Sequence, residues 1–226
     1  GEWQVRATAT GAPARLPTGS ASGPTGYAPV IRARAPGATP GAWPALVGLG
    51  AVVALAVQGL LGARLGFDGW SILASSLVAI LVGVVGAKAY YLVEHRGEAA
   101  VQPRSVGLCI QGFVLGAIGA LAIGALLVGT PVGRLLDLTA PGLLIGMAVG
   151  RFGCFLGGCC AGRPSCSRWA LWSSDQSLGV RRVPTQLMES ALAGAAGALA
   201  MAAVWTTRPE PSGLVFAAAI AAYTLG

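Results

Sequence analysis

The chain has 226 residues, of which 54% are hydrophobic and only 10% charged, where a soluble domain carries about 25% charged residues. A chain this apolar cannot cover itself with polar groups in water, so the bilayer is its natural solvent. Its formal charge of +7 comes from arginines scattered between apolar runs rather than from a dense basic block. That excludes nucleic acid as a partner and fits attraction to an anionic lipid bilayer.

Residues 1–42 are rich in Gly, Pro, Ala, Ser and Thr and carry Arg6, Arg15, Arg32 and Arg34. With little apolar material to pack, they read as a flexible or irregular N-terminal segment. From Trp43 the pattern changes, and 43–226 reads as one transmembrane domain. Apolar runs at 44–62, 70–93, 106–130, 138–160 and 186–206 are each long enough to cross a bilayer. A sixth run, 213–226, is still apolar where the sequence stops. From Leu214 it would extend about 20 Å as a helix against a hydrocarbon core of about 30 Å. With Gly1 rather than Met at its start, the sequence reads as a fragment. Trp43, Trp70 and Trp205 lie near run ends, where indoles favour the membrane interface. Gly112, Gly116 and Gly119, like Gly194 and Gly197, put small residues at helical spacing and favour close helix contact. Residues 161–185 are the only sizeable polar segment within the domain. They are expected to form a small extramembrane cap over the end of the fourth helix, with a short strand or hairpin. The fold class that follows is an all-α, polytopic helical membrane bundle.

The strongest functional signal is Gly150-Arg151-Phe152-Gly153-Cys154-Phe155-Leu156-Gly157-Gly158-Cys159-Cys160-Ala161-Gly162-Arg163. An arginine within a membrane helix costs about 2.5–3.5 kcal/mol on insertion scales, which makes Arg151 a site candidate. The surrounding glycines clear space for a headgroup, and a planar guanidinium suits a phosphate. The plain alternative is a snorkelling side chain that anchors the helix end. Arg163 is a possible helper or a surface arginine.

A second group is Arg181-Arg182-Val183-Pro184-Thr185-Gln186-Leu187-Met188-Glu189. Pro184 fits the first turn of a helix, placing Gln186 and Glu189 on one face of its beginning. Glu189 either complements the helix dipole or pairs with Arg151. Gln111 is either interhelical glue or a group facing the same cavity as Arg151. Lys88 either snorkels or acts as a second intramembrane cation, and Tyr90 and Tyr91 offer hydroxyls near the interface. Cys154, Cys159, Cys160 and Cys166 fall within thirteen positions. A metal or cluster, a disulfide from Cys159 or Cys160 to Cys166, and plain packing are their three readings. Lacking any C-x-x-C spacing, the sequence assigns no metal and no cofactor. His95, among Glu94, Arg96 and Glu98, reads as a solvated loop residue.

These residues resemble the bacterial prolipoprotein diacylglyceryl transferases from about Ala45 to Gly226. The likeness rests on Gly86-Ala87-Lys88, on Gly107-Leu108 with Gln111-Gly112, and on Leu135-Leu136-Asp137-Leu138 with Ala140-Pro141. It continues in Gly150-Arg151-Phe152-Gly153 with Phe155 and Gly162-Arg163, and in Arg182 with Pro184, Gln186, Leu187 and Glu189. The order and spacing of the set are specific. The resemblance implies a seven-helix bundle in the bacterial cytoplasmic membrane, with its active site open to the outer face. It also implies transfer of a diacylglyceryl group from phosphatidylglycerol to the lipobox cysteine of a prolipoprotein signal peptide, releasing glycerol phosphate. On that reading Arg151, Gln111 and Glu189 are catalytic. Arg151, Arg163, Arg182, Gln186, Cys154, Cys159, Lys88 and Tyr90 would bind substrate. The resemblance is imperfect at the candidate bases: Gln111 and Val183 stand where the family usually has histidines. Cys154, Gly157 and Cys159 stand where it has two asparagines and a glutamate. Glu189, a Cys159 thiolate or unaided ionisation of the substrate would then have to supply the base. Two other readings are a non-catalytic phospholipid binder or transporter, and a membrane thiol or metal protein built on the Cys154–Cys166 cluster. The charge count places the cap side in the cytoplasm, whereas the resemblance places it outside.

Overall fold

The computed structural model describes residues 2–7, 19–24, 37–95, 107, 109–207 and 211–225. Six helices carry the domain: α1 (Ala42–Arg64), α2 (Gly69–Glu94), α3 (Ile110–Val128), α4 (Val132–Gly157), α5 (Thr185–Thr206) and α6 (Leu214–Leu225). Helices α1, α2, α4 and α5 are long and apolar enough to cross a membrane; α3 and α6 are apolar and shorter. The outer surface is apolar, with Leu81, Val85, Leu127 and Leu199 all exposed. Polar side chains such as Gln58, Asp137, Gln186 and Ser190 are buried instead. That distribution suits lipid as the surrounding medium.

Local chemistry sets the helix boundaries. The Asp68 carboxylate accepts the Ser71 N–H at 2.8 Å and caps α2. Gly129 and Gly158 take left-handed φ values of 71° and 78° and close α3 and α4. Helix α4 begins six residues earlier than the apolar run suggests, because Arg134 and Asp137 interrupt the hydropathy without interrupting the helix. At its other end α4 stops at Gly157, so Cys159 and Cys160 lie beyond it. Pro184 precedes α5 as its cap residue rather than occupying its first turn.

Helix α4 is the hub, packed against α1 and α5 and also touching α6 and α3. Its contact with α1 is backbone on backbone. A Cβ added at Gly146 would stand 2.5 Å from the Gly50 carbonyl oxygen, and Gly142 lies equally tight against Ala54. Helices α2 and α3 form a second pair, where a Cβ at Gly86 would stand 2.5 Å from the Gly112 carbonyl oxygen. Gly119, expected in such a contact, faces open space instead. A buried polar link joins three helices. Gln58 of α1 donates to Thr139 of α4 at 2.7 Å, and Ser76 of α2 donates to Gln58 at 2.6 Å.

Successive helices run antiparallel, so one end of the bundle gathers the start of α1, the end of α2, the start of α3, the end of α4 and the start of α5. Over that end, β3 (Leu171–Trp172) pairs antiparallel with β4 (Arg181–Arg182), Leu171 opposite Arg182. A 3-10 turn at Gln176–Leu178 lies between them. In the N-terminal segment, β1 (Glu2–Ala7) pairs antiparallel with β2 (Gly19–Pro24) from Glu2–Pro24 to Ala7–Gly19. Arg15, Arg32, Arg34, Arg96 and Glu98 lie outside the described residues.

Candidate functional site

Arg151 sits six residues before the end of α4, about 9 Å along the axis. Its guanidinium Nη2 meets Glu189 Oε2 at 2.6 Å, with the two side chains 33% and 40% exposed. Glu189 lies in the second turn of α5, which starts at the same end of the bundle because α5 runs antiparallel to α4. Tyr223, near the end of α6, lies close enough to the guanidinium to add to its favourable electrostatic surroundings. Three helices thus converge on one cation. A guanidinium offers five N–H donors in a rigid fork, so donors remain beyond the Glu189 carboxylate. A phosphate oxygen is the ligand such a fork suits.

Neighbouring bonds hold the α4–α5 corner. Ser190 donates to the Ala148 carbonyl at 2.8 Å, one turn of α4 before Arg151. Buried Gln186 donates to the Cys159 carbonyl at 2.7 Å, and Thr185 to the Cys160 carbonyl at 3.2 Å. Thr39 N–H donates to the Leu156 carbonyl at 2.9 Å, tying the approach to α1 onto the end of α4. In the cap, Arg182 donates to the Gly162 carbonyl at 2.9 Å, while its buried Nε has no hydrogen-bond partner among the described residues. Arg181 donates to the Ala170 carbonyl. The Ser177 side chain and backbone donate to Asp175, holding its carboxyl below the usual carboxylate range, with a smaller contribution from Arg182.

The expected site residues divide into two groups. Arg151, Glu189, Cys154, Gln186 and Cys159 come together at the α4–α5 corner. Gln111 does not join them. It is exposed at the start of α3, where its side-chain oxygen accepts the Cys109 thiol at 2.7 Å. The reason is topological: α3 packs chiefly on α2 and reaches α4 only marginally. Lys88 belongs to the same flank, its Nζ 5.4 Å from the Tyr91 ring centre. Tyr90 is exposed there, with its Cβ against Gly112. Arg163 is exposed, and its carbonyl accepts the Val183 N–H at 3.1 Å. His95 is not a free loop residue: it caps α2 and stacks on Tyr91 at 4.3 Å.

The five cysteines are free thiols, so no disulfide joins the cap. Cys159 is exposed as a residue, but partial desolvation at the helix end, with hydrogen bonds to Cys160 and Cys154, pushes its thiol up to about 12. With no cation bound, Cys159 is therefore chiefly a thiol at neutral pH, which disfavours it as a proton acceptor.

The sequence reading missed Tyr223 and the role of Asp137. Tyr223 looked like part of an apolar run; the signal was a phenol in a helix otherwise made almost wholly of apolar residues. Asp137, buried in α4, accepts the Gly213 N–H at 2.7 Å and the Phe216 N–H at 2.9 Å, and so caps α6 from a neighbouring helix.

Comparison with known proteins agrees with this architecture. The prolipoprotein diacylglyceryl transferase family matches residues 42–226. A phosphatidylglycerol–prolipoprotein diacylglyceryl transferase of Clostridium tetani is 28% identical over 191 residues, 80% of this chain and 76% of that protein. Transferase 2 of Clostridium perfringens is 26% identical over 154 residues, 64% of this chain and 60% of that protein. The enzyme of Dehalococcoides mccartyi is 30% identical over 138 residues, 57% of this chain and 52% of that protein. The chain thus spans between about half and three quarters of the length of these relatives. A six-helix bundle with an Arg–Glu pair at the α4–α5 corner and a match running from the first helix to the last described one leads to one conclusion: the chain belongs to the prolipoprotein diacylglyceryl transferase family.

Proposed function

We propose that the protein moves a diacylglyceryl group from phosphatidylglycerol to the lipobox cysteine of a prolipoprotein signal peptide in the bacterial cytoplasmic membrane, with the α4–α5 corner and its cap on the outer side. The observation that carries this reading is the Arg151–Glu189 pair, held by α4 and α5 and joined by Tyr223 within a lipid-facing bundle.

In the proposed reaction the substrate thiolate attacks the glyceryl carbon bonded to the phosphate oxygen. A C–S bond forms, the C–O bond breaks, and glycerol phosphate leaves with the electron pair. Arg151 donates to the phosphate oxygens as charge grows on them, which is where preorganised electrostatics contributes most. Among the described residues Glu189 is the carboxylate paired with Arg151, and it accepts the thiol proton. Arg182, with its unpartnered Nε, and Arg163 lie in the cap over the same end and add positive charge for an anionic headgroup. Lys88, Tyr90 and Gln111 lie on the α2–α3 flank of that end, where they line an approach for lipid or peptide rather than the reacting centre.

The test reconstitutes the full-length protein in vesicles with labelled phosphatidylglycerol and a lipobox peptide. Arg151→Ala lowers transfer of label about 10²–10³-fold, the usual cost of losing one donor to a developing oxyanion. Equal labelling by wild type and variant overturns the role of Arg151. Binding of phosphatidylglycerol by the wild type without any labelled peptide overturns the transferase reading in favour of a lipid binder.

A further inference from the structure

The turn that ends α4 brings together three sulfurs that the sequence spacing kept apart. The Cys159 N–H donates to the Cys154 carbonyl at 3.1 Å, and the Gly158 N–H to the Phe155 carbonyl at 3.4 Å. With Gly158 at φ 78°, this is a Schellman closure, which lays the second residue past the helix over the residue five positions before it. Cys159 therefore lies over Cys154. The next residue, Cys160, takes φ 58°, a left-handed conformation that is uncommon for a residue with a side chain. The Sγ atoms of Cys154, Cys159 and Cys160 all lie within 4.8 Å of one another.

We infer that Cys154, Cys159 and Cys160 form a three-thiolate site for a thiophilic d10 cation of the Zn2+ or Cu+ class. With metal–sulfur bonds of about 2.3 Å, sulfurs around one ion stand about 3.8–4.0 Å apart. Thiol rotations of less than about 1 Å close the present triangle onto an ion. Soft sulfur ligands select ions of this class over Mg2+ or Ca2+. Cys154 is buried, whereas Cys159 and Cys160 are exposed, which gives the ion a floor and an entry path. The ligand backbone is already fixed from α5, by Gln186 on the Cys159 carbonyl and Thr185 on the Cys160 carbonyl. Binding would displace the thiol protons to solvent and change no oxidation state. It would lock the end of α4 to the start of α5, one turn from Arg151, and it does not depend on the proposed transferase reaction.

The experiment dialyses the full chain, purified in detergent under a non-thiol reductant, against Zn2+ alone and against Cu+ alone, and measures bound metal by elemental analysis. The expected result is one ion per chain for at least one of the two metals, with a raised Tm. Losing a supporting contact near a ligand already costs about 10–100-fold in affinity, so Cys159→Ser and Cys160→Ser should each weaken binding by about 100-fold or more. Both positions are exposed, so the variants keep the helical circular dichroism of the wild type. Cys109→Ser and Cys166→Ser bind as the wild type does. No ion on the folded, reduced wild type overturns the proposal. So does unchanged binding by Cys160→Ser, loss of binding by Cys166→Ser, or a Cys159–Cys160 disulfide that persists under reductant.

Discussion

At the scale of single residues, environment decides which groups can do chemistry. Arg151 and Cys159 are eight positions apart and sit at the same helix end, yet they differ in what they offer. Arg151 keeps its charge beside Glu189 and Tyr223. Cys159 gives up its proton less readily, because partial desolvation and its sulfur neighbours push the thiol up to about 12. The folded state thus holds that proton more tightly than the unfolded chain. This contribution to stability is complete below about pH 9 and is lost as pH rises toward about 12. The expected consequence is that iodoacetamide at pH 8 modifies Cys159 at least about tenfold more slowly in the folded protein than in denaturant, since the thiolate is the nucleophile. Peptide mass mapping against time measures it, and equal rates in the two states would contradict the environment described.

At the scale of helices, the bundle depends on two devices. The first is close backbone approach. Gly146→Ala should destabilise the bundle by about 1–3 kcal/mol, because the added Cβ meets the Gly50 carbonyl oxygen rather than a flexible side chain. Gly119→Ala meets nothing and should leave the midpoint unchanged or slightly raised. Thermal unfolding in one detergent compares the pair directly. The second device is the Asp137 carboxylate, which accepts two backbone N–H groups at the start of α6. Asp137→Ala should cost about 2 kcal/mol or more, since charged hydrogen bonds are lost and two helix-terminal donors are left in the bundle. Faster hydrogen exchange confined to α6 would mark the loss as a capping effect. Unchanged exchange there would show that α6 is held by packing alone. Because Tyr223 rides on α6, the same variant should also loosen the partner of Arg151.

For the whole molecule, two carboxylates outside the spanning segments make it sensitive to acid. Asp68 at the start of α2 is held below the usual carboxylate range by Ser71, and Asp175 in the cap by Ser177. A carboxyl whose folded value is depressed stabilises the fold above the unfolded value and loses that contribution as pH falls through the folded one. The midpoint of unfolding should therefore fall as pH drops below about 4, and less steeply in an Asp68→Ala/Asp175→Ala double variant. Parallel curves for the two proteins would show that neither carboxylate matters to the response.

Hydropathy alone located five of the six helices to within a few residues, because a span must bury its own backbone hydrogen bonds in lipid and so needs one long apolar run, and it missed the first six residues of α4. It also singled out Arg151, since a guanidinium inside such a run has no inexpensive explanation. Sequence patterns did not reveal which residues share a corner. Gln111 and Arg151 both mark the same end of the bundle, but α3 packs on α2 while α4 packs on α1 and α5, so they lie on different flanks. Cys154 and Cys159 carry no recognisable ligand spacing, and a left-handed glycine turn nevertheless lays one over the other. Periodicity and composition are local properties, and they determined the elements. Helix pairing and turn handedness are properties of the packed chain, and only they decided that Arg151 meets Glu189 and Tyr223.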